Sequence, residues 1–160
     1  MKSEPQKEHQ WLQQLVGEWE YEHDIPAGPN QPAAKLKGVE SVRSLGGLWV
    51  LGEGRGPMPD GGAAVTMLTL GYDPEKKRFV GTWIGSMMSF LWVYDGELDP
   101  TGKVLTLNAE GPDMEGAGQM AQYRDVIEFE GPDCRFLTSH LLGEDGKWQQ
   151  FMKAEYRRKG

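Results

Sequence analysis

The sequence has few of the residues from which metal sites and disulfides are built. Of its 160 residues only Cys134 is a cysteine, which excludes an internal disulfide and a multi-cysteine metal site. Three histidines, His9, His23 and His140, leave little room for a histidine-rich metal site. We expect no metal, and none is needed for a core, because folding at this length buries roughly 70% of the surface of the extended chain.

Positive charge and long apolar runs are also scarce. Lys and Arg number 17 against 24 Asp and Glu, which gives a formal net charge of −7. Nucleic acids and anionic membranes bind basic surfaces, so we expect neither kind of partner. The polar N-terminal residues lead into no apolar run, which argues against a secretory signal or a membrane span and favours a cytoplasmic location.

Motifs of two large enzyme classes are missing as well. The glycine-rich residues 52–56 do not precede a helix, so they lack the helix N-terminus that a phosphate-binding loop needs. The Gly-x-Ser-x-Gly motif of hydrolases is absent. Cys134 has no neighbouring base in the sequence and is interpreted as an inert thiol.

A short helical pattern comes first in the chain. Residues 1–8 are polar and expected to fray, and residues 9–160 are expected to form one domain. An amphipathic helix of about three turns is predicted before Gly17, because apolar residues recur there at helical spacing: Trp11, Leu12, Leu15 and Val16. This helix is either a lid over a cavity or a plug that closes one end of a core, and we favour the plug.

From Gly17 onward, alternating residues and turn signals predict an all-β domain. Ten strands are predicted, at residues 18–25, 35–44, 48–56, 64–72, 78–86, 90–98, 104–110, 121–130, 134–142 and 148–158. Turns this short make consecutive strands antiparallel neighbours. Glycine-rich stretches at 26–32, 56–62 and 111–118 are interpreted as rim loops. Because closure removes the two edges of such a meander, we expect a closed up-and-down barrel, with an open sandwich as the alternative.

The predicted alternation also indicates which residues of the second and third strands share one face. A two-residue hairpin at Gly46 and Gly47 would place Glu40 opposite Glu53. If that face points inward, the two carboxylates would disfavour double ionisation and raise one pKa towards neutrality. The alternative, which we favour, is a pair near a rim that is either solvated or neutralised by Arg43 or Arg55.

Aromatic and methionine residues on alternating faces suit an adaptable apolar pocket, although the same residues also make an ordinary core. His23 and His140 could ligate a haem iron or act as a base, but a hydrogen-bonded barrel histidine is the favoured interpretation of each. No cofactor is predicted. The candidate ligand-binding residues are Tyr21, His23, Trp49, Glu53, Trp83, Met87, Trp92, Tyr94 and His140.

Gly17-Glu18-Trp19, at the start of the first strand, resembles the Gly-x-Trp signature of the calycin superfamily, which includes lipocalins and fatty-acid-binding proteins. In that superfamily the tryptophan packs at the closed base of the barrel, often beneath an arginine from the last strand. The resemblance implies this role for Trp19 with Arg157 or Arg158. The extended Gly-x-Trp-x-Gly-x-Gly run of the haem-binding relatives is broken here, which argues against haem.

Further segments are similar to a bacterial family catalogued as a domain of unknown function, number fifteen seventy-nine, which is placed with the calycins. They are LGGLWV at 45–50, TLGYDP at 69–74, GTWIGSM at 81–87, GELD at 96–99, YRD at 123–125 and YRR at 156–158. The resemblance implies a lipocalin-like barrel and carries no reaction with it.

Three functions follow from this interpretation. The leading hypothesis is a barrel that binds a small apolar or amphipathic molecule without catalysis. The second is an interaction module with a filled barrel, with a homodimer as its expected form. The third is a lyase or isomerase in which Glu53 transfers a proton, Tyr21 or Tyr123 orients the substrate and Arg43 or Arg55 holds a carboxylate, with Glu40 as a further catalytic candidate.

Overall fold

The computed structural model describes residues 2–27, 29, 32–58, 60–113 and 118–159. Parts of the three predicted rim loops lie outside the described residues, at positions 28, 30–31, 59 and 114–117. The described elements are one helix and ten strands: α1 (Lys7–Gln13), β1 (Gly17–Ile25), β2 (Ala34–Leu45), β3 (Trp49–Pro57), β4 (Ala63–Asp73), β5 (Arg78–Gly85), β6 (Trp92–Leu98), β7 (Val104–Pro112), β8 (Met120–Gly131), β9 (Cys134–Leu142) and β10 (Trp148–Arg158).

The ten strands form one closed antiparallel barrel. Each strand pairs with its neighbours along the chain, and β1 pairs with β10 to close the sheet, with Trp19 opposite Arg158. The prediction of a closed up-and-down barrel with one short N-terminal helix is therefore confirmed. Closure pairs each of the ten described strands along both edges and separates an inner face from an outer one.

Glycines on the inner face make room for large side chains. The Tyr21 ring lies over Gly38 and Gly56, where an added Cβ atom would come within 2.3 Å of the tyrosine. These glycines let the Tyr21 ring extend from β1 over β2 and β3.

The connection between β2 and β3 is one residue longer than predicted. Gly46 and Gly47 have the expected positive φ angles, 67° and 75°, but Leu48 also belongs to the turn. As a result Leu45 pairs with Trp49 rather than with Leu48. A shift of one residue exchanges the two faces of a strand, so every predicted inward residue of β3 is affected.

The predicted pairing of Glu40 with Glu53 is wrong for this reason. Glu40 pairs with Gly54 and faces the interior, whereas Glu53 pairs with Ser41 and lies on the outer face. There Glu53 forms an exposed ion pair with Arg55 at 3.2 Å. The two carboxylates lie on opposite sides of the sheet.

The helix closes one end of the barrel, as the plug interpretation expected. It begins at Lys7, inside the segment predicted to fray, and ends at Gln13, so it is shorter than three turns. Leu12 is fully buried, and the Trp11 ring makes edge contacts with barrel rings at centroid distances of 6.1 and 5.6 Å. Among the described residues, no helix has the length and apolar character that crossing a bilayer requires.

Hydrogen bonds from Trp19 and Arg158 attach the end of the helical segment to the barrel. The indole Nε1 of Trp19 donates to the carbonyl of Leu15 at 2.9 Å, and the Arg158 guanidinium lies 4.3 Å from the Trp19 ring centroid. Arg158 also donates to the carbonyls of Val16 at 2.7 Å and Gln14 at 2.8 Å. These bonds satisfy carbonyls that the helix leaves unpaired at its end.

Arg158 therefore occupies the place that the resemblance implied for an arginine, and Arg157 does not. Arg157 lies on the outer face, where its guanidinium donates to Glu155 at 3.1 Å. The two neighbouring arginines offer a matched comparison, because only one of them contacts the base of the barrel.

Replacing Arg158 with methionine should lower the free energy of unfolding by about 2 kcal/mol, because a charged donor to two backbone carbonyls is lost. The control, Arg157→Met, removes an exposed ion pair and should change it by no more than about 0.5 kcal/mol. Urea unfolding followed by tryptophan fluorescence measures both values. Equal losses in the two variants would contradict the assignment of Arg158 to the base.

Candidate functional site

The interior of the barrel contains a cavity of about 300 Å³. All ten strands contribute to its wall, and most of the lining side chains are apolar or aromatic. A second cavity of about 240 Å³ lies beside the first, and both are lined by Trp83, Tyr94, Asp125, Leu137 and Met152. The volumes lie near the lower end of the range of pockets that hold small organic ligands.

Six of the nine predicted ligand-binding residues line these cavities. Those that face the first cavity are Tyr21, His23, Trp83, Met87 and Tyr94. Trp92 lines the second cavity, where its ring makes an edge contact with Tyr123 at 5.0 Å. Burial lowers the pKa of the His23 imidazole, so that this ring is neutral near pH 7.

The other three lie on the outer face. Trp49 faces outward because of the register of β3, and its ring covers Gly71. Glu53 is the outward partner of Arg55. His140 pairs with Arg124 in the neighbouring strand, and its Nε2 lies 3.0 Å from the Thr138 hydroxyl.

The observed geometry does not favour the proton-transfer hypothesis, because its main residue lies on the outer face of the barrel. Glu53, its acid or base, and the arginines Arg43 and Arg55 all face away from the interior. Tyr123 is inside, lines the second cavity and donates its hydroxyl to the carbonyl of Pro112 at 2.6 Å. The set that the sequence proposed is therefore divided between the two faces of the sheet.

A buried ion pair that the sequence analysis missed connects β2 and β9. Arg135 Nη2 donates to Glu40 Oε1 at 2.5 Å, and the two side chains are 4% and 10% exposed. The guanidinium also lies over the rings of Tyr156, at 4.0 Å, and Trp19, at 4.6 Å. The pair forms part of the cavity wall and neutralises its own charge there.

Asp125 is the second polar residue that the sequence analysis missed. Its Oδ1 accepts a hydrogen bond from Ser139 at 2.7 Å, and its Oδ2 accepts one from the Tyr94 hydroxyl. The accessible surface of Asp125 faces the cavities, because the residue lines both. Within the described ranges, no lysine, arginine or histidine forms an ion pair with it.

The interior perturbs the titration of both members of this hydrogen bond. Burial raises the pKa of the Asp125 carboxyl above its ordinary value, although the hydrogen bonds from Tyr94 and Ser139 and the electrostatic interaction with His140 act in the opposite direction. The pKa of Tyr94 is raised well above its ordinary value, first by burial and then by the charge of Asp125. The signal in the sequence was an aspartate on a face that otherwise carries Tyr123, Ile127 and Phe129.

Comparisons with known proteins agree with this architecture. Residues 4–158 match the model of a family described as "Protein of unknown function (DUF1579)". A search of the curated proteins finds no match. Rv2717c from M. tuberculosis has a similar crystal structure, with a TM-score of 0.65 and 12% identity over 98% of this chain and 100% of that chain.

Two further solved structures share the fold. The S-type phycobiliprotein lyase CPES from Guillardia theta gives a TM-score of 0.59 at 14% identity, over 98% of this chain and 99% of that chain. EF1p2_mFAP2b, solved bound to DFHBI, gives a TM-score of 0.51 at 13% identity, over 95% of this chain and 99% of that chain. At these identities the similarity shows the fold alone.

Asp125 and Asp95 should affect stability with opposite dependence on pH. The folded-state pKa of Asp125 is raised, so its contribution is fully present below the ordinary value of 3.8 and is lost as pH rises through the folded-state pKa. Hydrogen bonding to Arg78 lowers the pKa of Asp95, so its contribution is present above the ordinary value and is lost as pH falls. Asp125→Asn should therefore gain stability relative to the wild type as pH rises, and Asp95→Asn should lose it.

Calorimetric melting temperatures from about pH 3 to about pH 8 measure this difference. The two variant-minus-wild-type curves should slope in opposite directions. Parallel curves would show that the interior does not penalise the charge on Asp125.

Proposed function

We propose that this chain, which belongs to the DUF1579 family, binds a small and mostly apolar molecule inside its barrel without catalysing a reaction. The observation that carries the proposal is the cavity of about 300 Å³, to which every strand contributes. An apolar ligand that enters it would exchange surface exposed to water for contact with apolar side chains. That exchange stabilises a complex by roughly 25 cal/mol for each Å² of apolar surface buried.

The wall combines a large apolar area with a few polar groups, as small-molecule sites do. Aliphatic side chains such as Leu36, Leu68 and Met152 supply the apolar area, and Tyr94 and Asp125 supply polar atoms. A ligand with an apolar body and one polar group matches this combination. EF1p2_mFAP2b, a barrel of similar fold, was solved bound to DFHBI, which supports binding as a role compatible with the fold.

The two other hypotheses have less support. A filled interaction module needs an interior packed with side chains, whereas the described residues line two cavities. The lyase or isomerase hypothesis depended on Glu53, which lies on the outer face. The homodimer and the cytoplasmic location stay predictions from the sequence.

Two adjacent alanines provide a direct test of binding in the interior. Ala64 lines the cavity, whereas Ala63 precedes it on β4 and is exposed on the other face. The uncharged fluorescent dye N-phenyl-1-naphthylamine should bind the wild type saturably, with a rise in emission. Ala64→Phe should weaken this binding by about tenfold or more, because the new ring occupies space that the dye needs.

Ala63→Phe adds the same ring outside and should bind the dye like the wild type. The melting temperature of each variant establishes that it is folded. Absence of saturable binding to the wild type, or equal binding to both variants, would contradict the proposal.

A further inference from the structure

The described residues that line the cavities include few side chains that can carry a charge at neutral pH. Two are acidic, Glu40 and Asp125, and two are basic, His23 and Arg135. Glu40 and Arg135 neutralise each other in their ion pair, and burial keeps His23 uncharged near pH 7. The ionised form of Asp125 is therefore a negative charge for which the described lining supplies no ion-pair partner, although His140, on the outer face, interacts with it electrostatically.

The hydrogen bonds of Asp125 leave part of the carboxylate available. An ionised carboxylate has about four acceptor positions, and the hydrogen bonds from Ser139 and Tyr94 use one position on each oxygen of Asp125. Both donors are neutral hydroxyl groups, which stabilise a buried anion less than a cation does. Because Asp125 lines both cavities, a ligand in either one can reach its carboxylate.

The surrounding walls suit a positive charge as well as an apolar body. Trp83 and Tyr94 line both cavities, and Trp92 and Tyr123 line the second. The faces of aromatic rings attract cations electrostatically, and the attraction is stronger where water is excluded. The same rings offer apolar area to the rest of a ligand.

We infer that the barrel selects small apolar organic amines, whose ammonium group lies at Asp125 and whose apolar body fills the adjoining cavity. This inference rests on the proposed function, because it names the chemical class of the ligand. An ammonium ion donates up to three hydrogen bonds, so it can use acceptor positions of Asp125 that Ser139 and Tyr94 do not occupy. The ammonium group also balances the negative charge of Asp125, for which the described wall supplies no ion-pair partner.

Three probes of similar shape test the inference: 2-phenylethylamine, 2-phenylethanol and 3-phenylpropionate, which carry a cation, a neutral hydroxyl and an anion. Titration calorimetry should give the amine a dissociation constant about tenfold or more below that of the alcohol for the wild type. The carboxylate should bind more weakly than the alcohol, because it adds a second negative charge beside Asp125.

Asp125→Asn should remove the preference for the amine and keep binding of the alcohol. Asp95→Asn is the matched control, because Asp95 lies on the outer face with Arg78 and its loss should leave the preference unchanged. Asp125→Ser is a smaller neutral replacement that serves if the asparagine variant does not fold.

The outcomes separate the two proposals. Equal affinity for amine and alcohol, tighter binding of the carboxylate, or an amine preference that survives the loss of Asp125 would each overturn this inference while the proposed function stands. If neither the probes nor N-phenyl-1-naphthylamine bind the wild type, the proposed function itself is wrong.

Discussion

The pairing of β1 with β10 is the constraint on which the rest of the structure depends. It turns ten hairpin-connected strands into a closed surface and gives every strand an inner and an outer face. The same junction brings Trp19 opposite Arg158, and Arg158 holds the carbonyls that follow the helix. The residues that close the barrel, Trp19 and Arg158, therefore also attach the segment that covers one end. The space that remains inside is the candidate site.

The interior holds two kinds of charged group, an ion pair and a carboxylate that is outside any ion pair of the described residues. Glu40 and Arg135 form an ion pair whose guanidinium lies over the rings of Tyr156 and Trp19, so their charges cancel locally. Among the described residues, the side-chain hydrogen bonds of Asp125 come from two hydroxyl groups, and Asp125 lines both cavities. This contrast distinguishes a pair that supports the wall from a carboxylate that is available to a ligand.

The strands and their order were predictable because their signals are local. Alternation and turn residues identified ten segments whose limits lie within about two residues of the observed strands, a margin at which methods of strand assignment themselves differ. The side of β3 that faces the interior was not predictable in the same way. Two glycines with positive φ angles fit a two-residue hairpin, but Leu48 also joins the turn and exchanges the faces of Trp49 and Glu53.

The polar contacts of the site were harder to predict, because they join residues that are far apart in the sequence. Glu40 and Arg135 are 95 positions apart, and no local pattern pairs them. Asp125 could have been selected from its place between Tyr123 and Ile127, because an ionisable group on an apolar face is a recognisable exception. Its hydroxyl partners depend on strand register, because Ser139 lies opposite Asp125 in the β8–β9 hairpin and Tyr94 comes from β6, two strands away.

The central claim is that the barrel interior accepts an apolar molecule. The most direct test is a crystal structure of the protein soaked with iodobenzene, whose iodine atom is located by its anomalous scattering. The account predicts an anomalous peak inside the barrel, in contact with the side chains of Trp83, Leu68 or Met152. An interior filled by side chains, with iodine only at the outer surface, would contradict it.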